Sequence, residues 1–259
     1  MSTPRRPLIL DLDFTLLHLE RRPNSIEVPG RTHSAWIAPQ TVELLSELQK
    51  EFDLVLATAR SWDGTRPVWG GLQARSVHLG GAVIEDGAVF GRPGDWQRMD
   101  AAFEIEALRA FAETRKSTVW PEFEWQYDFE ACLVARCDNP QNTVVLLQIF
   151  AEQIEWPSAQ LRFFREGRKV YVISKRADKW SALQKLLGER APLAAGVGDG
   201  ENDLIWLAKV QSPCTLSGAA TPVSALVEAR KGYLSPHRGH DGIVDALRHL
   251  TCGAGGLEA

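Results

Sequence analysis

Two apolar runs in this chain each end abruptly on carboxylates. Pro7-Leu8-Ile9-Leu10 leads into Asp11-Leu12-Asp13-Phe14-Thr15, and the apolar stretch 193–197 leads into Gly198-Asp199-Gly200-Glu201-Asn202-Asp203. Short runs that are apolar at every position are the mark of strands covered on both faces, as in a parallel sheet flanked by helices. Such sheets gather their ligands beyond the carboxyl ends of their strands. Both acidic clusters therefore fall at one sheet edge, where four carboxylates (Asp11, Asp13, Asp199 and Asp203) converge.

Two unit charges about 4 Å apart repel by about 4 kcal/mol at an effective dielectric near 20, so a cluster of this kind calls for a cation. Oxygen ligands with no His or Cys beside them select a hard ion. Mg²⁺ characteristically takes one or two carboxylates, keeps several waters and binds substrate phosphate, so it is the cofactor expected here.

Between the two clusters the pattern of the chain changes. Residues 18–39 are polar and contain Pro23, Pro29 and Gly30, which predicts a long loop or hairpin. Residues 41–50 carry apolar positions at helical spacing, and 52–57 form a second buried strand that ends on Thr58-Ala59-Arg60. Asp86-Gly87 between apolar runs marks a hairpin turn. Residues 99–115 read as a helix, 123–137 as two strands, 141–155 as a helix and 161–173 as a hairpin turning at Glu166-Gly167. That succession is a self-contained α+β layer, after which a helix at 179–187 resumes the earlier style. The expected architecture is α/β, a Rossmann-like doubly wound parallel-sheet core built from residues 1–92 and 174–259, with an inserted α+β cap at 93–173.

Composition narrows the function. At 259 residues with 44% hydrophobic and 24% charged positions, the chain is long enough for a sizeable core. A net charge of −4 and no long Lys/Arg stripe argue against nucleic acid or an anionic membrane surface as partner. The apolar stretch near the start is too short for a signal-peptide core or a membrane span, so a cytoplasmic protein is expected. Cys132, Cys137, Cys214 and Cys252 form no CxxC pair and are read as reduced thiols.

Four motifs together resemble those of the haloacid dehalogenase superfamily phosphatases. The resemblance is to the Cof-like group that is similar to sucrose-phosphate and mannosylglycerate-phosphate phosphatases and to phosphomannomutases. The motifs are Asp11-Leu12-Asp13-Phe14-Thr15, Thr58 in Leu56-Ala57-Thr58-Ala59-Arg60, Lys179 in Lys179-Trp180-Ser181-Ala182-Leu183, and Gly198 through Asp203. The resemblance implies a Mg²⁺-dependent phosphomonoester hydrolase that acts through an aspartyl-phosphate on a small-molecule phosphate ester, such as a sugar or polyol phosphate. By the same resemblance Asp11 is the nucleophile and Asp13 the acid/base, its backbone carbonyl also on the metal. Asp199 is then the direct metal ligand, with Asp203 ligating or holding a metal-bound water. Thr58 and Lys179 are expected to bind the phosphoryl oxygens, and Asn202 to orient Asp11 or Lys179. A phosphosugar mutase is the alternative of the same motif and cap style, and a catalytically silent phospho-ligand binding protein the alternative of another class.

Three positions depart from the family. Phe14, Ala59 and Trp180 stand where glycines are common; the two bulky side chains are expected to pack locally, the alternative being that they narrow the entrance or contact the substrate. The cap segments 124–129 and 136–141, with Tyr127 and Arg136, are expected to meet the leaving group. His237 and His240 are expected in a surface loop, and Arg165, Arg168 and Lys169 on a solvated face.

Overall fold

The computed structural model describes residues 4–30 and 33–254. The chain opens with β1 (Arg6–Leu10), a hairpin of β2 (Ile26–Val28) and β3 (Ala35–Ile37), α1 (Pro39–Leu48), β4 (Phe52–Ala57), α2 (Trp62–Gln73), β5 (Leu79–Ile84), β6 (Val89–Arg92) and β7 (Asp95–Arg98). It continues through α3 (Ile105–Glu113), β8 (Glu124–Gln126), β9 (Cys132–Arg136), α4 (Asn142–Gln148), β10 (Leu161–Glu166) and β11 (Lys169–Ser174). The last part comprises α5 (Lys179–Leu187), β12 (Ala195–Val197), α6 (Leu204–Leu207), β13 (Ser212–Leu216), α7 (Thr221–Ala229), β14 (Tyr233–Ser235) and α8 (Gly239–Ala254).

Eight strands form the main sheet in the order β14-β13-β12-β1-β4-β5-β6-β7. The six from β14 to β5 pair in parallel, and the β6–β7 ribbon adds antiparallel to β5. The chain winds outward from β1 through β4 and β5 on one side and through β12, β13 and β14 on the other. β1 is thus the point where strand order reverses, the place where open α/β sheets open a crevice. Its burial on both faces follows from its composition. Leu8 and Leu10 belong to one apolar layer, with Leu45 and Leu48 of α1 and Ile243 and Leu247 of α8. Ile9 belongs to the opposite layer, with Leu183 of α5, Trp206 of α6 and Val223 of α7.

The inserted unit has its own antiparallel sheet, β10-β11-β9-β8, packed on α3 and α4 through Leu108, Leu133, Leu146 and Phe150. Its start differs from expectation. Residues 95–98, predicted within the cap, pair with β6 as β7, and Met99 N–H still bonds Ala88 O, so the large sheet holds the chain through Met99. The hairpin period of two carries on past Pro93-Gly94, which form the tip of a β6–β7 turn, with Gly94 at φ 88°.

Polar contacts join the inserted unit to the core. Glu85 accepts from the backbone N–H groups of Glu130 and Ala131 at 2.8 Å each, Asp86 pairs with Arg162 of β10 at 2.8 Å, and Ser174 donates to Asp100 at 2.6 Å. Glu85 and Asp86 both sit at φ 52°, and Gly87 follows at φ 94°. A Cβ on Gly87 would stand 2.1 Å from the Asp178 carbonyl carbon, so only glycine lets this turn lie against the start of α5.

His240, expected in a surface loop, is 1% exposed on α8 and meets the ring of His18 edge-on with centroids 4.6 Å apart. The helix begins at Gly239, earlier than its apolar spacing indicated, and carries the imidazole inward. His237 remains exposed. No helix among the described residues is long and apolar enough to cross a membrane. All four cysteines are free.

Candidate active site

The carboxyl ends of β1, β4 and β12 deliver the site. Asp11 N–H bonds Val197 O across the β1–β12 edge at 3.0 Å, and Thr58 N–H bonds Val83 O beyond β4 at 2.9 Å, so both residues still belong to the sheet. Asp11, Asp199 and Asp203 each bring a carboxylate oxygen within 4.8 Å of the others. The two acidic clusters that are far apart in sequence are therefore one cluster in space.

Lys179, the first residue of α5, is fully buried and reaches this cluster. Its Nζ lies 3.0 Å from Asp11 Oδ1 and 2.7 Å from Asp203 Oδ1. A buried ammonium is tolerated only where it is paired and hydrogen-bonded. Burial alone would lower the Lys179 pKa, but the charges of Asp11 and Asp203 outweigh it and hold the value well above the ordinary one. The lysine is therefore a fixed positive charge.

Asp203 is a saturated acceptor. Its Oδ1 takes Lys179 Nζ and, at 2.9 Å, the indole N–H of Trp206, and its Oδ2 takes the backbone N–H groups of Asp199 and Gly200 at 3.1 Å. A carboxylate offers about four lone-pair directions, so all are engaged. The carboxylate thereby clamps the turn that presents Asp199 and fixes the position of Lys179. Trp206 is seated by two missing side chains: a Cβ on Gly196 or Gly198 would come within 2.3 or 2.9 Å of its ring.

Asp11 and Asp199 are less satisfied. Asp11 Oδ1 accepts from Lys179 and Asp199 Oδ1 from Thr15 Oγ1 at 2.8 Å, while the second oxygen of each accepts no hydrogen bond from a described residue. Burial first, then the charge of Asp203, pushes the Asp11 carboxyl well above its ordinary pKa. Asp199 is raised to about 7, again by burial first. Two free oxygens, on buried Asp11 and half-buried Asp199, whose carboxyls resist ionisation, fit a hard cation, which would supply the missing positive charge. Asp11 and Asp199 are the residues that would hold it, with Asp203 behind them.

Asp13 has the opposite environment. Arg60 grips its carboxylate with two parallel bonds, Nε to Oδ2 at 2.8 Å and Nη2 to Oδ1 at 2.5 Å. Burial opposes ionisation, but the Arg60 hydrogen bond and charge outweigh it and hold the Asp13 pKa below its ordinary value. Thr58, 1% exposed, accepts the Arg60 amide at 3.1 Å and donates its own hydroxyl proton to no described residue. Asn202 lies half-buried on the turn beside Asp203, but neither partner of Lys179 is Asn202.

Sequence reading missed three contributors. Arg60 closes the second motif, where only Thr58 is given a role, and Trp206 stands three residues after Asp203, the spacing that puts two side chains on one helical face. Glu166, at the end of β10, had no such signal. It lies in electrostatic reach of Lys179 and Asp13, and its carboxyl is raised by desolvation first. Of the cap segments expected near the leaving group, 124–129 touches the core where Ser61 donates to Asp128 at 2.6 Å. Tyr127 is exposed beneath the Arg109 guanidinium, and Arg136 pairs with its neighbour Asp138. Trp180 is buried as expected, whereas Phe14 is 62% exposed.

No protein-family model matches the chain, and no curated protein does. Solved structures do. A haloacid dehalogenase-like hydrolase from Bacteroides thetaiotaomicron superposes with TM-score 0.67 at 16% identity, over 95% of this chain and 100% of its own. A Plasmodium vivax protein described as a HAD/Cof-like hydrolase gives 0.68 at 13% identity, over 96% of each chain. A HAD subclass IIB sugar phosphatase gives 0.65 at 17% identity, over 95% of this chain and 99% of its own. From end to end, the order of its strands, the inserted second sheet and the acidic crevice at β1 give this chain the fold of the haloacid dehalogenase-like hydrolases.

Proposed function

We propose that this protein is a Mg²⁺-dependent phosphomonoesterase working through an aspartyl-phosphate on Asp11, with a sugar or another small hydroxylated leaving group. The observation that carries this reading is the Asp11 carboxylate: one oxygen pairs with buried Lys179, the other accepts no hydrogen bond from a described residue, and the group brings an oxygen within 4.8 Å of oxygens of two further carboxylates. A nucleophilic carboxylate needs an open lone pair and positive charge around the phosphoryl oxygens, and both are in place. When bound, the metal offsets the charge on Asp11 and Asp199 and polarises the phosphoryl group.

In the first half-reaction Asp11 attacks phosphorus, the ester P–O bond breaks, and the departing alkoxide takes a proton from Asp13. In the second, water attacks the same phosphorus, Asp13 takes its proton back, and the Asp11–phosphorus bond breaks to release inorganic phosphate. Thr58 donates its hydroxyl proton to a phosphoryl oxygen, and Lys179 balances the charge that builds there. The inserted unit, with its sheet from β8 to β11, selects the leaving group.

The test is phosphate release from a panel of sugar, nucleotide and cofactor esters, with Mg²⁺ and then with EDTA, for the wild type and Asp11→Asn. Turnover should need Mg²⁺ and fall to background in Asp11→Asn, which keeps side-chain volume and fold. Retained turnover in that variant would refute the covalent route. Isomerised ester in place of free phosphate would move the assignment to a mutase.

A further inference from the structure

Phe14 is held in a backbone conformation that its side chain disfavours, and it gains no packing in return. Its φ is 59°, in the left-handed region that glycine and asparagine enter easily and that a bulky side chain enters rarely. The conformation is imposed by the turn. The N–H groups of Thr15, Leu16 and Leu17 all bond Leu12 O, and the Phe14 N–H bonds Leu17 O at 2.9 Å. This winding brings Thr15 Oγ1 onto Asp199.

The apolar neighbours behave differently. Leu12, Leu16 and Leu17 are 2% exposed or less, while Phe14 is 62% exposed, so the expectation of local packing fails. A single exposed apolar side chain needs no explanation by itself. An exposed ring on a strained backbone, between the carboxylate gripped by Arg60 and the hydroxyl that holds Asp199, does. Strain of this kind collects where a site uses the group that bears it.

We propose that Phe14 is a specificity-determining residue whose ring is the surface on which the leaving group lays a flat apolar face. The preferred substrates are then phosphate esters of a ring, either a pyranose or an aromatic group, over esters of open-chain polyols. The proposal rests on the phosphomonoesterase reading and narrows it. Stacking on an aromatic side chain is sequence-tolerant and depends on the π-face alone, which is why two kinds of ring share one chemistry.

Calorimetric titration of the Mg²⁺-loaded protein with phenylphosphonate and with methylphosphonate tests the contact without turnover. The wild type should bind the phenyl compound at least about tenfold more tightly, a difference of about 1.4 kcal/mol, and Phe14→Gly should lose most of that preference while Phe14→Tyr keeps it. In parallel, kcat/KM for phenyl phosphate, glucose 6-phosphate and glycerol 3-phosphate shows which ring is used. The ring ester whose advantage over glycerol 3-phosphate collapses in Phe14→Gly identifies it.

A wild type without ring preference, or Phe14→Gly with the preference intact, overturns the proposal. So does a lower unfolding temperature in Phe14→Gly, since glycine should relieve the turn and raise it unless the ring was packing. If no ester is hydrolysed but the phosphonate preference disappears in Phe14→Gly, the phosphomonoesterase reading falls and the stacking surface stands.

Discussion

Replacing Glu85 by glutamine should flatten a large part of the pH dependence of stability. Glu85 is fully buried at the junction of the two sheets, where its carboxylate accepts two backbone N–H groups at 2.8 Å from the opposite unit. Burial, reinforced by the charge of Glu130 and opposed by those two hydrogen bonds, raises its pKa from 4.5 to about 7. Between these two values the folded chain keeps a proton that the unfolded chain has lost, so stability falls as pH rises through the window and levels off above 7. At 1.36 kcal/mol per pKa unit the fall amounts to about 3 kcal/mol. Glutamine is neutral throughout and has nearly the same shape. Its NH₂ faces one of the two N–H donors, which adds a penalty of about 1–3 kcal/mol that does not vary with pH. Urea unfolding of both proteins in EDTA, at steps from pH 4.5 to 8.5, isolates the effect, because every other titrating group cancels in the difference. The wild type should lose about 3 kcal/mol relative to Glu85→Gln over that range, most of it before pH 7.5. A difference that stays flat within about 1 kcal/mol, or that rises with pH, would show that the carboxyl is not held in this environment.

Two further substitutions probe the site. Trp206→Phe removes the indole N–H from Asp203 and keeps most of the buried ring. Losing one charge-assisted hydrogen bond leaves more negative charge facing Lys179, and kcat should drop by about tenfold with little change in KM. The same variant should erase one downfield indole ¹H–¹⁵N resonance, and unchanged kcat would reduce Trp206 to a packing role. Arg60→Gln removes the cation that keeps Asp13 ionised, so burial prevails and its carboxyl pKa rises. The alkaline limb of the kcat/KM profile, set by the acid that protonates the leaving group, should move to higher pH, and an unmoved limb would separate Arg60 from the proton transfer.

The sheet and the acidic cluster were legible because each rests on local rules. Leu8, Ile9 and Leu10 are apolar without alternation, as a doubly covered strand requires, and Asp11 follows directly, so strand and site come from the same four residues. The helix at 179–187 matched its bounds because its N-cap Asp178 and apolar spacing agree. The misses come from contacts with no local signature. β7 joins the large sheet because pairing continues beyond a Pro-Gly turn, which resembles a boundary when read alone. Glu85 derives its meaning from cap residues far along the chain, and Glu166 from the core residues Lys179 and Asp13. Phe14 was misjudged because hydrophobicity predicts burial on average, whereas the φ imposed by its turn is a property of the folded backbone.

The two carboxylates of the first motif lie two residues apart and are driven in opposite directions. Asp11 is raised by burial beside Asp203, and Asp13 is lowered by Arg60. A pair whose environments separate their pKa values is also a pair whose chemical roles are separated. On the proposed reaction Asp11 must be ionised to attack, which its burial opposes and the Lys179 ammonium beside it favours. Asp13 must carry a proton to release the alkoxide, which its grip by Arg60 resists. An incoming phosphoryl dianion that competes with Asp13 for the Nε and Nη2 edge of Arg60 relieves the second condition. Asp13, freed from its partner, then returns to the influence of burial and can hold a proton. The first step thus depends on a substrate able to draw Arg60 away, and the second, in which Asp13 accepts a proton from water, is favoured when Arg60 comes back.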